Sequence, residues 1–527
     1  MQNNSAGELP VQVPASRRNP VWFYAAGLLV CCIPIIMRLA VVLNPPATDE
    51  GFYALHAMLN HASLSSGQGI YPLGVLQLYP ILCSFVFAFD INHIVALRMI
   101  DICMAVIMAW QVWRLFIQES GNILYGTALS MLLIIAFNHP TFIQHGFRNS
   151  IFIALIFLII ALRIGLSSEN SQFKFKWFLC GGSLALSVLF REAFALFVVV
   201  GIISILIAYG RRAALQFIAG GLLAAIFIIG GIILWRGSLI SLIDAYKLFH
   251  HMAIRSGELR PFGVYMDMFK LALQSLEFLS PILVLIFIYL YIALSRGFSQ
   301  RCRIYFWLLI ILVPWYEILL KGALTYHYTI SLIGIFGLCA NLFKYINTKY
   351  SWGLNIFAML ICFIFVSPKL IEFNRMSISN VPHIHEMLFS SKWPNDMVKH
   401  SNYLLLAQSV KDIMRPSDSL AVTGHYHLLY VLTGLRPPEK SKNHFSDLGS
   451  MALAHDMDTS KLHQYIVDEN PDIIVLSLYR PDTGDNLVGN ALMLLPEYIP
   501  VKTITPIPGN DYGLLAGTVY VKKSRFQ

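Results

Sequence analysis

Asn44-Pro45-Pro46-Ala47-Thr48-Asp49-Glu50-Gly51-Phe52-Tyr53 follows directly on an apolar run over residues 21–43. The run is long enough to cross a bilayer as a helix, and Arg17-Arg18 stand just before it. It is too long for a cleaved signal core, and further apolar runs follow, so it reads as a retained first span. The stretch after it has no Lys or Arg and sets two adjacent carboxylates at a membrane surface. Such a pair suits acid–base chemistry on a membrane-bound substrate. It equally suits a solvated loop in which Thr48 or Asp49 caps a helix and Glu50 lies in the first turn.

The surrounding chain favours the first reading. Its 527 residues are 57% hydrophobic and only 13% charged, with a mean hydropathy of +0.63. A soluble protein carries about 25% charged residues, so this composition describes an integral membrane protein. The net charge of +9 lies largely in short loops between apolar runs, a pattern of membrane orientation and not of nucleic-acid binding. Eight cysteines, none beyond Cys362, show no CxxC pair and no zinc spacing, and read as small apolar packing residues.

Runs able to cross, or nearly cross, a bilayer are 21–43, 94–117, 123–143, 151–166, 177–190, 193–209, 214–235, 280–295, 304–320, 326–343 and 352–367. Segment 73–89 is apolar too, but short and punctuated by Pro72 and Pro80. It reads as a helix lying along the membrane surface. With the N-terminus inside, the inner loops then hold Arg114, Lys174, Lys176, Arg211, Arg212, Arg296, Arg301, Arg303, Lys344 and Lys349. The short outer loops are much poorer in cations, as the positive-inside rule requires. The expected fold is a polytopic α-helical membrane protein of about eleven spans, N-terminus in and C-terminus out. Its parts are a cytoplasmic tail 1–20, a membrane domain 21–367 whose first outer loop and juxtamembrane helix span 44–93, and an exported α/β domain 368–527.

That last segment differs in kind. It is polar and free of cysteine, and it alternates strand and helix patterns. Ser419–Thr423, Ile473–Leu478 and Gly517–Lys522 read as strands, and Leu404–Met414 and Ser460–Glu469 as helices.

Ionisable groups in membrane segments are costly, so their positions carry information. In this topology Arg38, Arg98, Asp101, Arg148, Arg191, Glu192, Glu317 and Lys321 all fall at outer span ends or in outer loops. Structural roles compete: Arg98–Asp101 and Glu317–Lys321 fit helix-face ion pairs, and Arg38 fits a snorkelling anchor. Arg191 interrupts a long apolar stretch and needs an anionic partner or a wet cavity. Tyr326-His327 suits interfacial anchoring. His250-His251 lacks an obvious third metal ligand, and His425 and His427 read as surface residues of the exported domain. Together these charges suggest a cationic cavity at the outer face with a carboxylate pair at its rim, suited to a lipid-linked anion such as polyprenyl phosphate.

Over roughly residues 20–345 the chain resembles the GT-C membrane glycosyltransferases. It is closest in pattern to the bacterial branch with lipid A aminoarabinose transferase and the protein O-mannosyltransferases. Thr48-Asp49-Glu50-Gly51-Phe52-Tyr53 is similar to the family's acidic motif in the first outer loop, and Tyr71-Pro72-Leu73-Gly74 to the start of its juxtamembrane helix. Ala96-Leu97-Arg98 resembles the Arg-bearing start of its second span. Leu189-Phe190-Arg191-Glu192 resembles a segment that usually carries Lys, and Lys321-Gly322-Ala323-Leu324-Thr325-Tyr326 resembles a late Lys-x-x-x-Tyr segment.

The resemblance implies transfer of a sugar from a polyprenyl-phosphate donor to an envelope acceptor (glycan, lipopolysaccharide or protein) at the outer face of a bacterial inner membrane. It makes Asp49 the general base of an inverting transfer, with Glu50 either orienting a divalent cation or capping the loop helix. Arg191, Lys321, Tyr326, Arg98 and Arg148 become candidate ligands of the donor phosphate. The chain departs from the family in having Ile70-Tyr71 and Phe147-Arg148-Asn149 where some members carry an acid, and Arg191 in place of Lys. Metal dependence, sugar and acceptor therefore stay open. Rival readings are a transporter or flippase of a lipid-linked saccharide, a polysaccharide polymerase or ligase, and a membrane scaffold displaying 368–527. A transporter would favour inverted repeats and charges near the bilayer midplane; neither is visible.

Overall fold

The computed structural model describes residues 20–44, 48–67, 78–138, 149–167, 174–234, 301–314, 329–349, 377–389, 401–424, 426–438, 447–477, 485–505 and 517–526, with isolated positions between them. Apolar helices form the N-terminal part: α1 (Pro20–Leu39), α4 (His93–Ser120), α5 (Ile123–Asn138), α6 (Asn149–Leu166), α7 (Lys176–Phe190), α8 (Ala195–Tyr209), α9 (Arg211–Leu234), α10 (Arg301–Leu312) and α11 (Thr329–Lys349). Between α1 and α4 lie α2 (Thr48–Ser65) and the short α3 (Leu78–Ser84), which runs on as a 3-10 turn to Ala88. Among the described residues, Val21–Leu39, His93–Ser120 and Arg211–Leu234 are long and apolar enough to cross a membrane; the other apolar helices are shorter. The expected spans at 280–295 and, apart from Ile364, 352–367 lie outside the described residues.

Helix α4 is the axis of this part, packing against α1, α5, α6 and α11. Its ends are set locally. The Asn92 side chain accepts from Val95 N at 3.3 Å, and Gly121 takes the left-handed conformation that stops the helix. Serines strap α7 to α6: Ser183 and Ser187 donate to the Phe157 and Ala154 carbonyls at 2.8 and 2.7 Å. On its other side α7 meets α9 backbone to backbone. A Cβ on Gly181 would lie 1.9 Å from the Phe217 carbonyl oxygen, and one on Gly220 1.9 Å from that of Phe178. Small residues that let helix backbones touch are a recurrent way to join helices in lipid.

The C-terminal part is α/β. Helix α12 (Asn402–Lys411) leads to β1 (Leu420–Val422), then α13 (Leu428–Thr433), α14 (Leu448–Ala454), α15 (Thr459–Glu469), β2 (Ile473–Ser477), α16 (Asp485–Met493), β3 (Tyr498–Ile504) and β4 (Gly517–Lys522). The sheet order is β1-β2-β4-β3, with β1 and β2 parallel and the other neighbours antiparallel. Helix starts carry their own caps: Ser401, Asp447 and Asp458 accept from backbone N–H groups two or three residues on. The three expected strands and two expected helices all form. The sequence reading missed β3, whose Pro500 and half-exposed alternation hide an edge strand with a bulge beside Pro500.

Two hydrophobic cores matter here. One joins the apolar helices. The other joins Ala54 and Leu55 of α2, Tyr79 of α3 and Leu97 of α4 to Leu428 of α13 and Val475 of β2. Helix α2, expected as part of the outer loop of the membrane domain, thus shares its buried side with the α/β part. The core runs across the 367/368 division.

Candidate active site

Asp49 and Glu50 lie in the first turn of α2. Glu50 thus stands in the first turn of a helix, as the capped-helix reading expects, but that helix runs on to Ser65 and Glu50 is not solvated. The side chain of Asp49 is outside the described residues. Glu50 is fully buried, and Arg98 of α4 lies across both its oxygens: Nε donates to Oε1 at 2.6 Å and Nη2 to Oε2 at 2.8 Å. The remaining arm of Arg98 donates to the carbonyls of Val42 and Asn44 at 2.5 and 2.7 Å. One guanidinium therefore ties the end of the first span, the loop after it and the start of α2 to α4. A planar fork with several donors is the group for such a task, and an ammonium is not.

This arrangement corrects two sequence expectations. Arg98 and Asp101 do not pair along their helix, since each reaches another element. Arg98 takes Glu50, and Asp101 takes Arg38 of α1. Arg38 is not a snorkelling anchor either. It is fully buried, donates through Nε to Asn138 Oδ1 at 2.7 Å, and lies 4.2 Å from the Phe152 ring centroid. Arg98, expected as a ligand of the donor phosphate, donates to Glu50 and to two carbonyls. Glu50, for which a cation contact or a capping role was held open, accepts from the Arg98 guanidinium with both oxygens. Among the described residues no group of three or more His, Cys, Asp or Glu could hold a metal ion.

Arg191 stands where expected, in the break between α7 and the 3-10 turn Glu192–Phe194 that leads into α8. Its backbone is extended (φ −155°, ψ 112°), and Arg191 and Glu192 are half-buried. Arg148, Lys321, Tyr326, His327, Glu317, His250 and His425 lie outside the described residues.

Sequence reasoning missed the wall opposite Arg98. Gly51 packs on the start of α13 so closely that a Cβ there would lie 2.6 Å from both N and Cβ of Leu428. Beside it the Phe52 ring meets the His427 ring edge-on, centroids 5.4 Å apart, and the His56 ring at 4.2 Å. His427, expected on the surface, is buried. His56 is 2% exposed, and among the described residues neither ring nitrogen has a hydrogen-bond partner. Burial, and then the nearby His427, holds its pKa well below the ordinary histidine value. His56 and Asn60 fall on the same stripe of α2 as Asp49, seven and eleven residues on. That helical spacing was the available signal.

A second polar cluster lies at the far end of α4. Buried Glu119 accepts from Arg303 Nε at 3.0 Å, Asn341 Nδ2 at 3.3 Å and Trp307 Nε1 at 3.4 Å. Arg98 and Glu119 are separated by roughly 30 Å of helix at about 1.5 Å per residue, close to the thickness of a bilayer's hydrocarbon core.

No protein-family model matches this sequence, and no curated protein sequence matches it either. Among solved structures, the chain is similar to the crystal structure of ArnT from Cupriavidus metallidurans bound to undecaprenyl phosphate. The TM-score is 0.54 at 12% identity, covering 95% of this chain and 97% of that one. The two share a fold along nearly their whole lengths, the GT-C-like fold that the sequence resemblance implies.

Proposed function

We propose that this chain is an integral membrane glycosyltransferase that moves a sugar from a polyprenyl-phosphate donor to a cell-envelope acceptor. The observation that carries the reading is the place of the acidic pair. It opens α2 directly after the first span, with Glu50 locked by Arg98, in a fold shared with a protein whose crystal structure holds undecaprenyl phosphate. The positions of the cations support an orientation with the N-terminus inside, about eleven spans, and the α/β part on the periplasmic side of a bacterial inner membrane.

In this reading Asp49 accepts the proton of an acceptor hydroxyl. The oxygen then forms a bond to the anomeric carbon as the bond from that carbon to the phosphate oxygen breaks. The configuration inverts through an oxocarbenium-like state. The lipid phosphate leaves as an anion, so no strong general acid is needed. Arg191 and Lys321, with Tyr326 and Arg148, are the proposed ligands of that phosphate and stabilise its growing charge. Glu50 and Arg98 hold the turn that carries Asp49.

The test uses purified full-length protein, radiolabelled polyprenyl-phosphate sugar and an envelope-acceptor extract, with wild type beside Asp49→Asn. Label should pass to the acceptor in wild type and not in the variant, while both bind undecaprenyl phosphate. Full transfer by the variant would remove Asp49 from the mechanism. Movement of the labelled lipid across a bilayer without transfer would establish a flippase instead.

A further inference from the structure

Among the described residues, the α/β part meets the acidic turn of α2 at the start of α13, and that contact is tighter than ordinary packing. Gly51 is one residue beyond the acidic pair. With a Cβ at 2.6 Å from the Leu428 backbone nitrogen and 2.8 Å from its Cα, no side chain fits without moving one helix away from the other. The contact is backbone to helix start, so a rotamer change cannot relieve it. Phe52, the next residue, has its ring edge-on to His427. Below them Ala54 and Leu55 share the core of β1, β2 and α13. The first turn of α2 is therefore held on two sides: by Arg98 of α4 through Glu50, and by His427 and Leu428 through Gly51 and Phe52.

The route from the sheet to this contact is short. Strand β1 ends at Val422, and the chain turns through Gly424, at φ +64°, into Tyr426 and His427. The Ser477 backbone N–H, at the end of the parallel neighbour β2, donates to Thr423 Oγ1 at 2.7 Å. The carboxyl ends of the two parallel strands thus brace the turn that delivers α13 to α2. Open α/β sheets place their working groups at this edge; here the edge is turned toward the acidic helix.

We propose that the α/β part is a component of the transfer site, with His427 and Leu428 as positioning residues that fix the turn carrying Asp49. This rests on the transferase reading. A general base must sit within hydrogen-bond reach of the hydroxyl it deprotonates, and a displacement of about 1 Å can cost about a hundredfold in rate. The contact therefore governs turnover and leaves donor affinity alone, because the proposed phosphate ligands lie outside α2 and α13 in the sequence.

The experiment compares full-length wild type with Gly51→Ala, His427→Ala and His427→Phe. It measures kcat, undecaprenyl-phosphate binding, thermal unfolding, and hydrogen exchange of the amides at 48–53. Gly51→Ala and His427→Ala should lower kcat by at least about tenfold, with lipid binding within about twofold of wild type and faster exchange at 48–53. His427→Phe, which keeps a ring against Phe52, should recover most of the turnover. Undiminished kcat with unchanged exchange would overturn the proposal. Parallel loss of kcat, lipid binding and unfolding temperature would also overturn it, by showing a general structural role. If His427→Phe is as inactive as His427→Ala, the imidazole itself is required and positioning is the wrong role. Should wild type transfer no sugar at all, the transferase reading fails, while the exchange data still report whether α13 holds the acidic turn.

Discussion

Arg98 and Glu50 meet fork to fork across α4 and α2, with Nε to Oε1 at 2.6 Å and Nη2 to Oε2 at 2.8 Å, both side chains fully buried. Removing one partner strands the other charge. Arg98→Ala should cost about 3–5 kcal/mol, whereas Arg98→Met with Glu50→Leu should recover much of that loss. Thermal unfolding of the purified variants in one detergent checks both. A single variant as stable as wild type would show that the pair contributes nothing net.

His56 gives the stability of the protein a pH dependence. Its pKa in the folded chain is depressed, chiefly by burial and then by His427, so the unfolded chain binds the extra proton first as pH falls. Stability should therefore decline as pH drops below about 6.5, the ordinary histidine value, by at most about 1.4 kcal/mol per pH unit for this one proton. His56→Phe should flatten that slope. Unfolding temperatures of both proteins between about pH 5 and pH 8, the range in which histidine titrates, decide the matter, and parallel curves would clear His56.

The α7–α9 contact distinguishes neighbouring glycines. Gly181→Ala places a Cβ 1.9 Å from the Phe217 carbonyl oxygen, while at Gly182 the nearest atom is 3.5 Å away. The first substitution should destabilise by more than the usual 1–3 kcal/mol of overpacking, roughly, because backbone blocks it; Gly182→Ala should be tolerated. Since α7 ends at Arg191, Gly181→Ala should also weaken undecaprenyl-phosphate binding. Equal unfolding temperatures for the two variants would refute the close approach.

The proposed orientation can be read with thiol reagents. In a protein lacking its native cysteines, Asp90→Cys should react with an impermeant reagent added outside intact spheroplasts, and Phe175→Cys only after the membrane is opened. Both positions are exposed. The reverse pattern would place the acidic helix in the cytosol and end the transferase reading.

Much of this arrangement was legible in the sequence. The runs at 94–117 and 214–235 became α4 and α9 because unbroken apolar stretches of span length have few other ways to satisfy their backbone. Ile473–Leu478 and Gly517–Lys522 became β2 and β4 because buried strands read as short apolar runs. The proposed site is read at Asp49, Glu50 and Arg191 as exceptions to that apolarity. Their partners were not legible. Spacing along one helix proposed Arg98 with Asp101, but the pairs that form, Arg98–Glu50 and Arg38–Asp101, join residues 48 and 63 apart. Nothing in the local pattern records which distant helix end arrives beside a given arginine. The Gly51–Leu428 contact was silent for the same reason, since a glycine beside an acidic pair looks like turn chemistry until the second backbone is present.

Polar bonding at both tips of α4 has a mechanical corollary. A piston stroke of this helix along the membrane normal would have to rupture Arg98–Glu50 at one tip and Glu119–Arg303 at the other in the same movement. The two breakages would find no compensating partners in hydrocarbon. Helix α4 is thus expected to stand as a fixed mast, and whatever swings aside to admit the long isoprenoid tail of the proposed donor must be hung elsewhere in the chain.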